Sequence, residues 1–273
     1  MASRAELGPG WSELRDRLFE ELGRHDGLAV AFSGGVDSSV LLHAASTVLG
    51  DRAVGVIADS PSLPRRELAE ARALAESLGV RLVVVPTAEA EDERYRANRG
   101  DRCYFCKAAL FEVMAEVCRA EGLASMAFGE ITDDWRDDRP GARAAAEFGV
   151  VAPLSAAGFG KREVRRYARE EGLEVAEKPA SACLASRIPV GTEVTLPRLE
   201  RIERAEELVA GLGFRVLRVR DHGSLARVEV GDGEREMAEE RAGEISRLLA
   251  PLGFREIELA VYRSPAAATR TSR

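Results

Sequence analysis

The residues best equipped for chemistry form the run Ser33-Gly34-Gly35-Val36-Asp37-Ser38-Ser39, placed between the apolar stretch Ala29-Val30-Ala31-Phe32 and Leu41-Leu42. The order reads as a strand, a glycine turn and the start of a helix. Adjacent glycines adopt dihedrals closed to other residues and let a ligand approach the main chain. Amides of such a turn, followed by a helix N-terminus, make an anion cradle. Ser33, Ser38 and Ser39 add hydroxyls, so the expected guest is a polyphosphate. No lysine follows the glycines, which sets the run apart from the G-x-x-x-x-G-K-[ST] loop. Asp37 would repel phosphates unless Mg²⁺ or backbone amides offset its charge. An ordinary tight strand-to-helix connection is the competing reading.

Sulfur chemistry is the second possibility. Cys103-x-x-Cys106 opens a helical stretch, where the helix dipole favours thiolate, and Cys183 lies in a Pro-bounded segment, Lys178 to Pro189. Cys118 sits beside Met114 and Val117 on an apolar stripe and lies about 18 Å from Cys106 along an unbroken helix, at about 1.5 Å per residue. It is expected in the core, which leaves three cysteines as candidates for one site. A CxxC pair fits zinc, a redox couple or iron–sulfur ligation. His25, His43 and His222 are all remote from the cysteines in sequence, so a fourth zinc ligand is not evident. Three thiolates suit a [4Fe–4S] cluster with one open iron; zinc and free thiols stay open beside it.

Two further sets carry charge. Arg218 and Arg220 are two apart on an expected strand and share a face; they could clamp carboxylates or phosphates, or form an exposed polar face. Ser186 and Arg187 follow Cys183 closely enough to contact the same substrate. The acidic stretch from Glu130 to Gly141 follows a strand and reads equally well as a solvated loop.

The elements that must position these groups alternate. Trp11 to Leu22 has apolar residues at helical spacing. Ala53 to Ala58 is a continuous apolar run, as in a strand covered on both faces. Pro64 opens a helix through Ser77, Arg81 to Val85 is a strand, and Thr87 to Arg102 is polar and unpatterned, hence a loop. A helix from Cys103 to Glu121, a strand from Ala124 to Gly129, a short strand from Val150 to Leu154 and a helix from Lys161 to Glu171 follow. Such alternation predicts a parallel, Rossmann-like α/β sheet with the ligand at the C-terminal strand ends. Past Gly191 the pattern changes. A helix (Leu199 to Leu212), two strands (Phe214 to Arg220, Leu225 to Val230) joined by Asp221 to Ser224, a helix (Glu234 to Ala250) and a strand (Phe254 to Tyr262) predict a smaller α+β domain. The expected division is residues 1–191 and 192–273, with a disordered tail from Ser264.

With 273 residues, 45% of them hydrophobic, the chain is long enough for both domains. A net charge of −7 and pI near 5.3 argue against a broad nucleic-acid-binding surface. Neither a signal peptide nor a bilayer-spanning run is evident, so a cytoplasmic protein is expected, with thiols rather than structural disulfides.

The run from Ser33 to Ser39 resembles the PP-loop of the ATP pyrophosphatase superfamily. Together with Glu130 to Gly141, Ser181-Ala182-Cys183-Leu184-Ala185-Ser186-Arg187-Ile188-Pro189 and the Arg218/Arg220 strand, it makes residues 10 to 263 resemble the LarE family, ATP-dependent sulfur transferases of nickel-pincer cofactor synthesis. The resemblance implies that ATP and Mg²⁺ bind at Ser33, Gly34, Gly35, Asp37, Ser38 and Ser39. It implies catalytic roles for Asp37, Glu130 and Cys183, and a small-molecule nucleotide substrate held by Ser186, Arg187, Arg218 and Arg220. That substrate would be pyridinium-3,5-biscarboxylic acid mononucleotide, whose adenylated carboxylates become thiocarboxylates. In one branch the cysteine matching Cys183 gives up its own sulfur; in another, three cysteines hold a [4Fe–4S] cluster, and Cys103 and Cys106 beside Cys183 place this chain nearer the second. A homo-oligomer without nucleic-acid or membrane partners is expected. The rivals are a tRNA thiolase, an amide-forming ligase such as NAD synthetase, and a non-catalytic nucleotide sensor.

Overall fold

The computed structural model describes residues 10–136, 140–179 and 181–263; the expected disordered tail, the first nine residues, part of the acidic stretch (137–139) and Ala180 lie outside it. The chain divides into two compact units, the first comprising residues up to Tyr95 and Gly100–Ser181, the second Arg96–Arg99 and the residues from Ala182 onward.

In the first unit a four-stranded parallel sheet has the order β3-β2-β1-β4, built from β1 (Leu28–Ala31), β2 (Ala53–Asp59), β3 (Leu82–Pro86) and β4 (Ser125–Phe128). Its helices are α1 (Trp11–Gly23), α2 (Val36–Leu49), α3 (Arg65–Ser77), α4 (Glu93–Arg96, whose last residue falls in the second unit), α5 (Arg102–Glu121), α6 (Pro140–Glu147), α7 (Pro153–Ala156) and α8 (Lys161–Glu170). Every β1 residue is buried because the sheet is covered on both sides. Successive side chains alternate between faces. Leu28 and Val30 join Leu18, Leu22, Leu41 and Leu42 in one core, whereas Ala29 and Ala31 join Phe111 and Met114 of α5 and Ala144 and Ala145 of α6 in the other. Cys118 packs against this second core and donates its thiol to the Ser125 carbonyl at 3.7 Å.

The expected loop from Thr87 to Arg102 contains α4, with Glu89, Tyr95 and Asn98 buried. The expected strand from Val150 to Leu154 is reduced to one parallel bridge between Val151 and Ala127. Pro153 then opens α7, since its ring nitrogen has no hydrogen to extend a ladder.

The second unit holds α9 (Leu196–Ala210), β5 (Leu217–His222), β6 (Leu225–Val230), α10 (Arg235–Glu240), α11 (Ala242–Leu249) and β7 (Glu256–Val261). β5 and β6 pair antiparallel, β6 and β7 parallel. Leu217, Val219 and Asp221 are buried on one face of β5, the leucine and valine in a core with Val209, Ile245 and Leu249, which turns Arg218 and Arg220 to the other face. The fully buried Asp221 is matched by Arg198 at 3.1 Å and by Arg201. The single helix expected from Glu234 to Ala250 breaks at Arg241, between α10 and α11.

Candidate active site

Strand order places β1 between β2, followed by α3, and β4, on the opposite side. Chain direction across the sheet reverses there, which is where parallel sheets bind ligands. The loop Ser33–Gly35 emerges from β1 at that point and leads into α2. Gly34 has φ +68°, and a Cβ there would stand 3.0 Å from the Cβ of Ala71, so a side chain is excluded twice over. The loop hydroxyls brace the loop itself. Ser38 Oγ donates to the Gly35 carbonyl at 3.1 Å and accepts the Ser33 amide at 3.2 Å, while Ser39 Oγ donates to the same carbonyl at 2.7 Å.

A cavity of about 520 Å³ opens against this loop, within the range of small-ligand sites. Ser33, Gly35, Asp37 and Ser38 line one wall; Cys103 and Lys107 of α5, Glu130, Asp134 and Ser181 line others. β4 reaches the wall through Gly129, where a Cβ would stand 2.9 Å from the Ser38 amide nitrogen and 3.1 Å from the Asp37 carbonyl carbon. Only glycine lets strand and helix turn meet so closely.

Charge in the cavity is unbalanced. Burial, then the nearby Asp134 and more weakly Asp133, push the Asp37 carboxyl up to about 6, against the opposing effect of Lys161 and Arg165. Asp37 Oδ1 is buried and has no hydrogen-bond partner among the described residues. An orphaned carboxylate oxygen beside a second acid has the donor chemistry of a Mg²⁺ ligand. Burial also pushes the Lys107 ammonium down, while Cys106, Cys103, Glu130 and Asp134 pull it back up.

Cys103 and Cys106 are one helical turn apart at the start of α5; Cys103 is exposed and faces the cavity, and Cys106 is half-buried. Ser181 donates to Glu67 at 2.8 Å, and Lys178 pairs with Glu67 and Glu70 at 2.8 and 3.1 Å, so this segment is fastened to α3. Cys183 follows two residues later and belongs to the second unit. Among the described residues no group of three or more Cys, His, Asp or Glu side chains is arranged to hold a metal ion.

Within the second unit, Arg187 is only 3% exposed. Its guanidinium forks onto Glu206 at 2.9 and 3.0 Å and donates to the carbonyls of Ala182 and, at 3.0 Å, Cys183. Arg220 bonds Glu229 at 2.7 Å and the Ser186 carbonyl at 3.1 Å, while Arg218 lies over the Tyr262 ring at 5.3 Å. Arg187 and Arg220 thus grip the loop carrying Cys183. The sequence alone does not single out Lys107, Gly129 or Glu206 as site residues, and it offers Asp134 and Ser181 only as members of the Glu130–Gly141 and Ser181–Pro189 segments. For Lys107 a signal existed, its position directly after the CxxC pair on the same stretch.

Residues 12–103 match the NAD synthase family. A protein of Synechocystis sp. described as uncharacterized is 40% identical over 215 residues, 79% of this chain and 80% of its own length. The pyridinium-3,5-bisthiocarboxylic acid mononucleotide synthase of Lactiplantibacillus plantarum is 34% identical over 240 residues, 85% of this chain and 84% of that protein. The chain belongs to the LarE family. A LarE-family chain is a PP-loop protein, which makes this an ATP-using enzyme. An argininosuccinate synthase of Natronomonas pharaonis, 28% identical over 54% of this chain, shares less of it. Among the described residues no helix is long and apolar enough to cross a membrane.

Proposed function

We propose that this LarE-family chain is an ATP-dependent sulfur transferase that adenylates the carboxylates of pyridinium-3,5-biscarboxylic acid mononucleotide and replaces an oxygen of each with sulfur. The observation that carries this reading is a single cavity in which a glycine cradle, the orphaned Asp37 carboxylate and the exposed thiol of Cys103 face one another. A carboxylate is a poor acyl donor, so it must be activated before sulfur can enter. The loop amides hold the phosphates, and Asp37 with Asp134 would hold Mg²⁺, whose charge draws electrons from the phosphates. The substrate carboxylate oxygen then bonds to the α-phosphorus, and pyrophosphate leaves with the electron pair of the broken bond. Sulfur next adds to the acyl carbon, and AMP departs with the former carboxylate oxygen. Glu130, on the cavity wall, is assigned to this step.

Cys103, Cys106 and Cys183 are the proposed ligands of a [4Fe–4S] cluster, which when bound would supply the sulfur nucleophile. The support is the donor chemistry and its order in the chain, two thiols one turn apart at a helix start and a third two residues after the cavity-lining Ser181, and not a gathered ligand set, since no three such side chains are arranged around a metal among the described residues. Arg218 and Arg220, with Ser186 and Arg187, are proposed to serve the substrate, Arg187 by shaping the loop it binds.

The test is turnover of anaerobically purified protein with MgATP, the dicarboxylate and sulfide. AMP and pyrophosphate in equal amounts, together with thiocarboxylate product, are expected; ADP with inorganic phosphate would refute the adenylation. Iron content should fall in Cys103→Ala, Cys106→Ala and Cys183→Ala and persist in Cys118→Ala. Dehydroalanine at residue 183, formed in step with product, would instead make the protein a single-use sulfur donor.

A further inference from the structure

The nucleotide loop has no lysine of its own, and the cavity wall opposite supplies one. Lys107 is the one basic residue among the described residues lining the cavity, against the three carboxylates of Asp37, Glu130 and Asp134. A polyphosphate entering there adds further negative charge at close range, in surroundings that screen it poorly. The ammonium is held rather than loose. Its Nζ lies 5.6 Å from the centroid of Phe111 and 5.3 Å from that of Phe128, two rings that attract a cation with their faces. Gly141 leaves room for the stem, since a Cβ there would stand 3.3 Å from Lys107 Cγ. Cys103 and Lys107, four apart on α5, share a helix face, so the lysine reaches the same cavity that Cys103 lines.

We propose that Lys107 is the phosphate-binding cation of this site, donating to the β,γ-phosphate portion of ATP and to the pyrophosphate it becomes. The inference rests on the reading of the cavity as the nucleotide site and deepens it. When the bond from the α-phosphorus to the bridging oxygen breaks, its electron pair stays on that oxygen. Lys107 keeps its proton and stabilises the new charge by an N–H bond to the leaving group, the role of a fixed cation at a phosphoryl transfer site. The lysine thus enters from a helix on the far wall, and the loop remains free of a side chain that would fill it.

The experiment compares the full-length protein with Lys107→Met, which keeps the stem and removes the charge, and Lys107→Arg, which restores charge. Calorimetric titrations with ATP, inorganic pyrophosphate and AMP, each in the presence of Mg²⁺, are the readout. Lys107→Met is expected to weaken ATP and pyrophosphate binding at least tenfold and to leave AMP binding within about twofold. Lys107→Arg should recover most of the loss. Unchanged ATP and pyrophosphate binding in Lys107→Met overturns the assignment, while wild-type ATP binding leaves the cavity's nucleotide reading intact. An equal loss for AMP also overturns it, because the lysine would then only shape the wall. Wild-type protein that binds no ATP overturns the nucleotide reading itself, and this inference with it.

Discussion

Replacing Asp37 by asparagine is expected to make the protein more stable and inactive at once, with a pH signature that isolates the cause. Burial, assisted by Asp134, pushes this carboxyl from its ordinary 3.8 up to about 6. Ionising it in the folded chain therefore costs at most about 3 kcal/mol, from roughly 1.4 kcal/mol per tenfold change in proton affinity. Between pH 4 and 6 the folded chain binds the proton more tightly than the unfolded chain, so stability falls as pH rises through that window. Above it the deficit is constant. The carboxamide of the Asp37→Asn variant cannot ionise and escapes the deficit. At pH 8 the variant should melt several degrees higher than wild type, given roughly 2–4 °C per kcal/mol at this size, and near pH 4 the two should coincide. Differential scanning calorimetry at both pH values is the assay. Adding MgATP should raise the wild-type midpoint and leave the variant behind, since Asp37 is the proposed metal ligand. An equal or lower midpoint for Asp37→Asn at pH 8, or an advantage equally large at pH 4, would refute the reasoning.

Gly129→Ala drives a methyl to 2.9 Å from the Ser38 amide; it should cost roughly 1–3 kcal/mol in urea denaturation and weaken ATP binding with it. Arg187→Met leaves Glu206 without its guanidinium in a site where the arginine is 3% and the carboxylate 17% exposed. A loss of roughly 2–4 kcal/mol is expected, checked by thermal melts, with partial recovery in Arg187→Lys. Arg218→Ala and Arg220→Ala should each cost roughly 1.5–3 kcal/mol in substrate use, the range for a charge-assisted hydrogen bond, measured as the substrate dependence of AMP formation. Arg220→Ala alone should also lower the melting point, because it leaves the buried Glu229 only the longer ion pair with Arg227 at 3.7 Å.

Elements whose side chains keep one period over their whole length were legible in the sequence. The strands at Ala29, Val54 and Met126 read as continuous apolar runs because both sheet faces are covered. The amphipathic helices read from their stripes. What failed was short or aperiodic. Glu89, Tyr95 and Asn98 are buried in a polar stretch, two of them by hydrogen bonds, so Thr87 to Arg102 carries no hydrophobic rhythm although it is folded. Val150 to Leu154 is apolar enough for a strand, yet Pro153 cannot donate to a ladder. The glycine loop was visible because its chemistry is local. The opposite wall was legible only in part: Cys103 and Glu130 stood out by type and position, whereas Lys107 and Gly129 meet the loop only through the sheet topology. Likewise Arg187 reads as a substrate ligand from its place beside Cys183, and only the fold shows that Glu206 holds its guanidinium.

The four residues Arg96–Arg99 belong to the second unit although the chain visits it there more than eighty residues before returning at Ala182. They are not incidental. The Asn98 side-chain amide donates to the carbonyls of Pro189 and Thr192 at 2.8 and 3.0 Å, and the carbonyls of Asn98 and Arg96 accept the amides of Gly191 and Val194. A gene segment starting at Ala182 therefore encodes an incomplete unit. This part of the protein cannot be exchanged between lineages as a cassette with one junction. Any graft or fusion has to carry a second, four-residue insert with it, which ties the inheritance of the two units together.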